Sequence, residues 1–205
     1  MTKPDFDVIV LGGGCSGLSL GHYYALNSNA QKTIAILEAR NEYQNDRTWC
    51  FWLPVETDSF PFEDIIRKTW EKWSFSNIQG TSSEHIGQKY TYCCLPSDAF
   101  YKKTQKAIQD DCRQTLLTDF EATDLNEQDD YVYVSAGNET LSAHVVIDTR
   151  PGSRQFLLES TRIFQIFAGY EITTQDRHFN PYIAGLMKNL QSDNQACSFD
   201  YILPF

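Results

Sequence analysis

A short apolar run, Val8-Ile9-Val10-Leu11, leads straight into Gly12-Gly13-Gly14-Cys15-Ser16-Gly17, and this junction constrains the chain more than any other feature. Glycines at G-x-G-x-x-G spacing (Gly12, Gly14, Gly17), set between a strand and a helix-compatible stretch, each have a mechanical use. Gly12 permits a tight turn. Gly14 lets the backbone approach a pyrophosphate. Gly17 lets the helix lie close against the strand. A helix starting there points unsatisfied N–H groups and the positive end of its dipole at the phosphates. A second apolar run, Thr33-Ile34-Ala35-Ile36-Leu37, ends in Glu38. That acid falls about twenty residues past the last glycine, where a carboxylate accepts hydrogen bonds from a ribose hydroxyl. Strand, glycines, helix, strand and acid in this order predict a βαβ unit that binds a dinucleotide.

The rest of the composition narrows the class. A chain of 205 residues is long enough for one good domain or two small ones. A net charge of −10 argues against nucleic acid and gives no general attraction to anionic membranes. Local basic or apolar patches leave peripheral contact with a bilayer open. No apolar run approaches the roughly 18 to 20 residues of a membrane span. The first apolar stretch is a strand ending in glycines rather than a secretory leader, so the expected location is the cytoplasm. The six cysteines form no C-x-x-C pair and suit a reduced compartment. Cys15 opens the first helix, where a dipole would lower its pKa, but as a small residue it also simply fits beside the phosphates. The histidines are scattered without metal-ligand spacing, and no metal site is expected.

Along the chain, strands are predicted at Asp7–Leu11, Thr33–Leu37, Trp73–Phe75, Lys89–Cys94, Thr115–Phe120, Tyr131–Ser135, Leu141–Ile147 and Arg162–Thr174. Helices are predicted from Ser16 to about Ala25, over Phe62–Trp70, and from Ser97, where Phe100, Thr104, Ala107 and Ile108 share a face. Gly137-Asn138 makes a hairpin turn. A single βαβ unit cannot complete a parallel sheet, and Leu141–Asp148 is the best returning strand. The division expected is residues 1–60 as the start of a dinucleotide-binding domain, 61–135 as an inserted lobe, 136–160 as the return, and 161–205 as the start of a β-rich substrate lobe. Arg47-Thr48-Trp49-Cys50-Phe51-Trp52 follows the first unit as an unusual aromatic cluster. It reads equally well as a hydrophobic plug, or as Arg47 facing a flavin or phosphate with the aromatics walling a substrate cavity.

These residues resemble a known family, the bacterial lycopene beta-cyclases of the wider glutathione-reductase-like flavoproteins. Val8–Gly17 resembles that family's flavin fingerprint. Asn45–Trp52 is similar to its Asn-x-[His/Arg]-Thr-Trp-x-Phe signature, the most specific of the matches. Val146-Ile147-Asp148-Thr149-Arg150 resembles its Val-Ile-Asp-Gly-Arg segment, Phe164–Glu171 its Gln-x-Phe-x-Gly-x-Glu strand, and Phe199–Phe205 its Phe-x-Tyr-x-Leu-Pro-Phe strand. Departures are Lys188 after Met187, where the family has Asp, and Thr149 and Pro151, where glycines are usual. The matches span nearly the whole chain but about the first half of a typical member. The family's catalytic glutamate, a later glycine-rich segment and C-terminal helices fall beyond Phe205. The resemblance therefore implies a truncated member or a decayed copy that does not cyclise lycopene alone.

The fold implied is α/β, a Rossmann-like FAD-binding core with an inserted mixed or antiparallel β-rich substrate lobe. The cofactor implied is FAD, in its reduced form for the family's reaction, with NAD(P)H as a reductant. Gly12, Gly14, Gly17, Glu38, Arg47 and Asp148 would meet it. The substrate implied is a lycopene-like polyene, whose end is protonated, cyclised through a carbocation and deprotonated. Trp49, Phe51, Trp52, Phe164, Phe167 and Tyr170 suit a pocket whose ring faces favour a cation. Glu171 matches a family acid by position, although a Glu at a strand end is usually a solvated charge. No specific protein partner is implied, and any membrane contact would be peripheral, at the inner membrane. Three alternatives stay open: a redox flavoenzyme such as a hydroxylase or polyene reductase on the same scaffold, an NAD-dependent dehydrogenase, and a non-enzymatic degenerate fragment.

Overall fold

The computed structural model describes residues 3–128, 130–151, 165–176, 178–193 and 196–205. They form two compact units, neither continuous in sequence: Met1–Gln44 with Asp98–Gln165, and Asn45–Ser97 with Ile166–Phe205.

In the first unit β1 (Phe6–Leu11), α1 (Cys15–Leu26) and β2 (Ile34–Leu37) follow in the predicted order. Four later strands join them: β8 (Gln114–Leu117), β9 (Asp124–Gln128), β10 (Tyr131–Ala136) and β11 (Glu139–Asp148). The six-stranded sheet has the order β8-β2-β1-β11-β10-β9. Its first four strands are parallel, and β9, β10 and β11 are an antiparallel meander. The returning strand pairs where it was predicted to, with Val10 opposite Ile147 and Leu11 opposite Asp148. Gly137, at φ +59°, makes the tight turn between β10 and β11.

Ile9, Val10, Leu11, Ala35 and Ile36 are fully buried, as continuous apolar runs must be in a parallel sheet covered on both faces. Ile9, Leu11, Ala35 and Leu37 pack with Phe120, Val134 and Ala143. Ile36 meets α1 at Gly21, where a Cβ would lie 2.6 Å from the Ile36 Cδ1 and 2.9 Å from Ile108 Cδ1 of α2 (Ser97–Gln109). The α2 face predicted from Phe100, Thr104 and Ile108 is buried, and the Thr104 hydroxyl satisfies itself on the Phe100 carbonyl at 2.9 Å.

The second unit has two sheets. β3 (Thr48–Pro54), β4 (Lys68–Trp70) and β7 (Tyr90–Pro96) are antiparallel in the order β3-β7-β4. β5 (Lys72–Asn77), β6 (Ser82–Ile86), β12 (Ile183–Ser192) and β13 (Cys197–Ile202) pair in the order β13-β12-β5-β6. Trp70, Tyr92, Cys94, Ala184 and Leu186 form the core. Lys188, the departure from the family's acid, sits at an irregularity of β12 with its Nζ 3.5 Å from the Ser74 hydroxyl.

The structure corrects three expectations. Phe62–Trp70 is not a helix but a single 3-10 turn, Glu63–Ile65, followed by β4. The Arg67 N–H bonds the Cys94 carbonyl, so pairing with β7 overrides the helical spacing. Residues 61–135 are not one inserted lobe, because β8, β9 and β10 belong to the first sheet. The strand expected over Arg162–Thr174 is absent from its described part: residues 165–174 have no regular structure and are exposed. Alternation of apolar residues identifies a face, while a partner strand depends on tertiary context. Among the described residues no helix is long and apolar enough to cross a membrane.

One clamp holds the βαβ unit at its base. The Asp7 carboxylate accepts from the Thr33 N–H (2.8 Å) and hydroxyl (3.0 Å) and pairs with Lys32 (3.1 Å). The Thr33 backbone bond, with smaller help from Lys32, outweighs burial and brings the carboxyl from 3.8 to about 2. A lowered carboxyl pKa stabilises the fold above the unfolded-state pKa and loses that contribution as pH falls through the folded one. Asp7→Asn is expected to lower the urea-unfolding free energy at neutral pH by about 1–2 kcal/mol. Its difference from the parent should shrink as pH drops from 3.8 toward 2, followed by circular dichroism.

Candidate functional site

At the C-terminal ends of β1, β2 and β11 the first unit opens into a cavity of about 350 Å3. Its wall includes Gly12, Gly14, Cys15 and Ser16 from the glycine loop, Glu38 after β2, Phe120 and Ala122, and Thr149 and Arg150 after β11.

Gly12 and Gly17 do the backbone work that their spacing implies. Gly12 has φ +95°, the left-handed conformation that side chains resist. A Cβ on Gly17 would lie 2.0 Å from the Gly12 carbonyl oxygen, so only glycine allows α1 this close to β1. Gly14 differs: its φ is −83°, and a Cβ there would meet nothing within 4 Å. Its missing side chain leaves open cavity in front of the α1 N-terminus. No acidic residue occupies the first turn of that helix.

Two neighbours fix the loop. The Gly12 N–H donates to the Leu37 carbonyl at 2.8 Å. Thr149, where the family carries glycine, donates its hydroxyl to the Leu11 carbonyl (2.8 Å) and the Gly12 carbonyl (3.0 Å). The substitution thus ties the β11 end to the glycine turn.

Glu38 lines the cavity and is almost wholly buried. Burial would raise its pKa, but the Arg40 side chain and N–H outweigh it and hold the carboxyl below its ordinary range. The Arg40 N–H and Nε both reach Oε1 at 2.9 Å. The guanidinium lies over the rings of Tyr43 and Tyr101, 4.8 and 5.4 Å from their centroids. The Tyr43 hydroxyl donates to the Gly13 carbonyl at 2.9 Å. Glu38 is therefore ionised and held in one orientation.

Asp148 does not line the cavity; its neighbour Arg150 does. The Asp148 carboxylate takes the Arg150 N–H (3.0 Å), Nε (2.9 Å) and Nη2 (2.9 Å), and Arg150 Nη1 donates to the Ala122 carbonyl at 2.6 Å. Asp148 orients, and Arg150 presents the charge. Sequence reasoning missed Arg40, Thr149 and Arg150; the signal available was an arginine two residues after each acid, a spacing that closes such a ring. The Cys15 thiol is raised, not lowered: partial desolvation dominates although the residue as a whole is exposed.

The remaining candidates belong to the second unit. The Arg47 guanidinium is exposed beside Asp46, at 3.7 Å. Side chains alternate along β3, so Trp49 and Phe51 face one side of the sheet and Trp52 the other. Phe51 packs on Phe60, 5.4 Å between centroids, while Trp52 packs on Trp73 (4.5 Å) and Tyr92 (4.6 Å). The aromatic cluster is thus not one wall. Phe167 and Tyr170 are 74% and 94% exposed. Phe164 lies outside the described residues. Glu171 is exposed and accepts from Arg67 Nη2 at 2.6 Å; that hydrogen bond lowers its pKa, which makes it a poor proton donor. Among the described residues no group of His, Cys, Asp or Glu is placed to hold a metal.

The cavity lies outside the carboxyl ends of the parallel strands, where open α/β sheets form their ligand crevices. The chain belongs to the lycopene cyclase family: the family model described as lycopene cyclase protein matches residues 7–205. A search of curated proteins gave no match. Among solved structures, the chain is similar to p-nitrophenol 4-monooxygenase PnpA from Pseudomonas putida DLL-E4. The TM-score is 0.56 at 17% identity, over 70% of this chain and 40% of that one. Halogenase PltM gives 0.51 at 15%, over 75% and 36%. A PltM variant in complex with FAD gives 0.50 at 15%, over 71% and 34%. The chain spans well under half the length of these structures.

The geometry separates the glycines by experiment. Gly17→Ala should lower stability by about 1–3 kcal/mol, because its Cβ overlaps backbone that cannot move aside. Gly14→Ala should stay within about 0.5 kcal/mol of the parent. Thermal and urea unfolding of the two purified variants check both.

Proposed function

We propose that the first unit binds FAD and that the chain is the flavin-binding part of a lycopene cyclase. The observation that carries the flavin reading is Gly14. The protein itself gives no reason for glycine there, since its Cβ would point into open cavity, whereas a pyrophosphate approaching the α1 N-terminus would. The donor set fits the same group. The N–H groups of the first turn of α1 suit the phosphates, Glu38 suits a ribose hydroxyl, and Arg150 adds a cation at the wall. Family membership and the fold likeness to a halogenase variant solved with FAD support FAD over NAD. Arg47 remains a candidate contact, as an exposed cation at the head of β3.

The reaction assigned to the family is an isomerisation. A proton adds to one end of a polyene, a ring closes through the carbocation, and a ring proton leaves, with no net oxidation. Bound reduced FAD would supply negative charge near the cation. The chain's own residues would supply ring faces and exclusion of water, which would otherwise quench the cation. Trp52, edge-on to Trp73 and tilted against Tyr92, is one proposed aromatic contact. Trp49, Phe51, Phe167 and Tyr170 remain candidates. Glu171, held ionised by Arg67, is not assigned as the acid.

Flavin titration tests the first step. The purified chain should quench FAD fluorescence at near one-to-one stoichiometry, and Gly14→Val should abolish binding while keeping the parent's circular dichroism. Failure of the folded parent to bind FAD overturns the reading. For the second step, the purified chain with reduced FAD and lycopene micelles is expected to give no cyclic product, because no residue is assigned as the proton donor; a cyclic product of lycopene's own mass would overturn that expectation. NADPH consumption coupled to an oxygenated product would instead assign the flavin monooxygenase class.

A further inference from the structure

Cys50 on β3 and Cys94 on β7 stand directly opposite one another in an antiparallel pair. Hydrogen bonds at both ends of that ladder fix what kind of pair it is. The Ser97 N–H bonds the Arg47 carbonyl at 3.1 Å, and the Val55 N–H bonds the Lys89 carbonyl at 2.9 Å. Residues 47 and 55 therefore sit at hydrogen-bonded pairs, and pairs alternate along an antiparallel ladder, so the pair at residue 50 is non-hydrogen-bonded. Opposed Cα atoms in such a pair are about 4.5 Å apart with side chains drawn together. A disulfide spans Cα separations of about 4.4–6.8 Å, so this one closes with little backbone movement.

The surroundings favour chemistry at this pair. The two thiols are hydrogen-bonded to each other. The bond from Cys94, with help from the hydroxyls of Tyr201 and Tyr92 and against burial, brings the Cys50 thiol down to about 7, while Cys94 is raised. The Arg67 cation favours the ionised form of Cys94. Tyr92 and Tyr201 are hydrogen-bonded through their hydroxyls on the same side. Cys50 is half-buried and Tyr201 is 41% exposed, whereas Cys94 is fully buried. Reagent thus reaches Cys50 first. Cys93 does not compete: it points to the opposite face of β7, beside the Thr91 hydroxyl at 3.7 Å.

We propose that Cys50 and Cys94 are a hydroperoxide-oxidisable dithiol whose disulfide locks β3 to β7. The Cys50 thiolate attacks the peroxide O–O bond. The S–O bond forms, the O–O bond breaks, and two electrons pass from sulfur to the departing oxygen, which takes a proton and leaves as water. The Cys94 thiol then attacks the sulfenic sulfur. The S–S bond forms, the S–O bond breaks, and the hydroxide leaves with the Cys94 proton as a second water. A dithiol reductant reverses the link. The oxidised form pins the register of the strand that carries Trp49, Phe51 and Trp52, next to the corner where Ser97 holds the Arg47 N–H (3.0 Å) and the Asn45 side chain (3.2 Å).

The test uses the unmutated full chain. Graded hydrogen peroxide, a thiol-alkylating quench and peptide mass mapping should show the free thiols falling by two from six, with Cys50 joined to Cys94 and both restored by dithiothreitol. In Cys94→Ser, a sulfenic-acid probe such as dimedone should label Cys50 with at least a tenfold preference over Cys112 and Cys197. Alkylation of both Cys50 and Cys94 after peroxide doses that oxidise the exposed Cys112 and Cys197 would overturn the proposal. So would a link through any other cysteine. The mapping reads the parent chain, so the decision stands even where Cys94→Ser fails to fold.

Discussion

The approach of Gly17 to the Gly12 carbonyl is the constraint on which the first unit depends. A helix packed so closely against the strand it follows has its N-terminus fixed at the strand's carboxyl end. The cavity lies there because of that packing. The neighbouring elements secure the same spot: the Gly12 N–H is taken by β2, and the Gly12 carbonyl by Thr149 at the end of β11. Three strands and one helix converge on a few backbone atoms. The charged groups around them are oriented in the same manner, each acid held by an arginine two residues later, Glu38 by Arg40 and Asp148 by Arg150.

The second unit depends on a different rule, the alternation of side chains along paired strands. Parity sends Cys50 and Trp52 to the side of Tyr92 and Cys94, and sends Trp49 and Phe51 to the other. A sequence cluster that looks like one aromatic patch becomes two separate contacts, one with Phe60 and one with Trp73 and Tyr92. The same parity brings two thiols face to face that lie far apart in sequence.

The legible parts of this chain are those whose partners lie nearby in sequence. β1, α1 and β2 emerge from apolar runs and glycine spacing, and the acid at the end of β2 is where the pattern places it. Leu141–Asp148 was legible because a lone βαβ unit requires another parallel neighbour. The division into units was not legible, because nothing local marks β8 and β10 as belonging with β1. Phe62–Trp70 has helical spacing but is decided by the Arg67 bond to β7. The alternating residues of 165–174 lack a strand partner, a fact of tertiary structure alone. At the site, the glycine loop and Glu38 were legible. Thr149 was not, since its work is defined by the Leu11 and Gly12 carbonyls more than a hundred residues away, and the place of Arg150 at the cavity depends on the Ala122 carbonyl, 28 residues upstream.

The parallel pairing of β1 with β11 has a consequence for the order of biosynthesis. Phe6 finds its partner at Ala143. At ordinary rates of translation, β11 leaves the ribosome on the order of ten seconds after β1. Through that interval one edge of a largely apolar strand has no mate, and such an edge invites pairing with other chains. The second unit's Asn45–Ser97 segment emerges during the wait. The nascent chain must therefore keep β1 and β2 shielded until the meander arrives, and its yield should be governed by how quickly residues 98–148 follow.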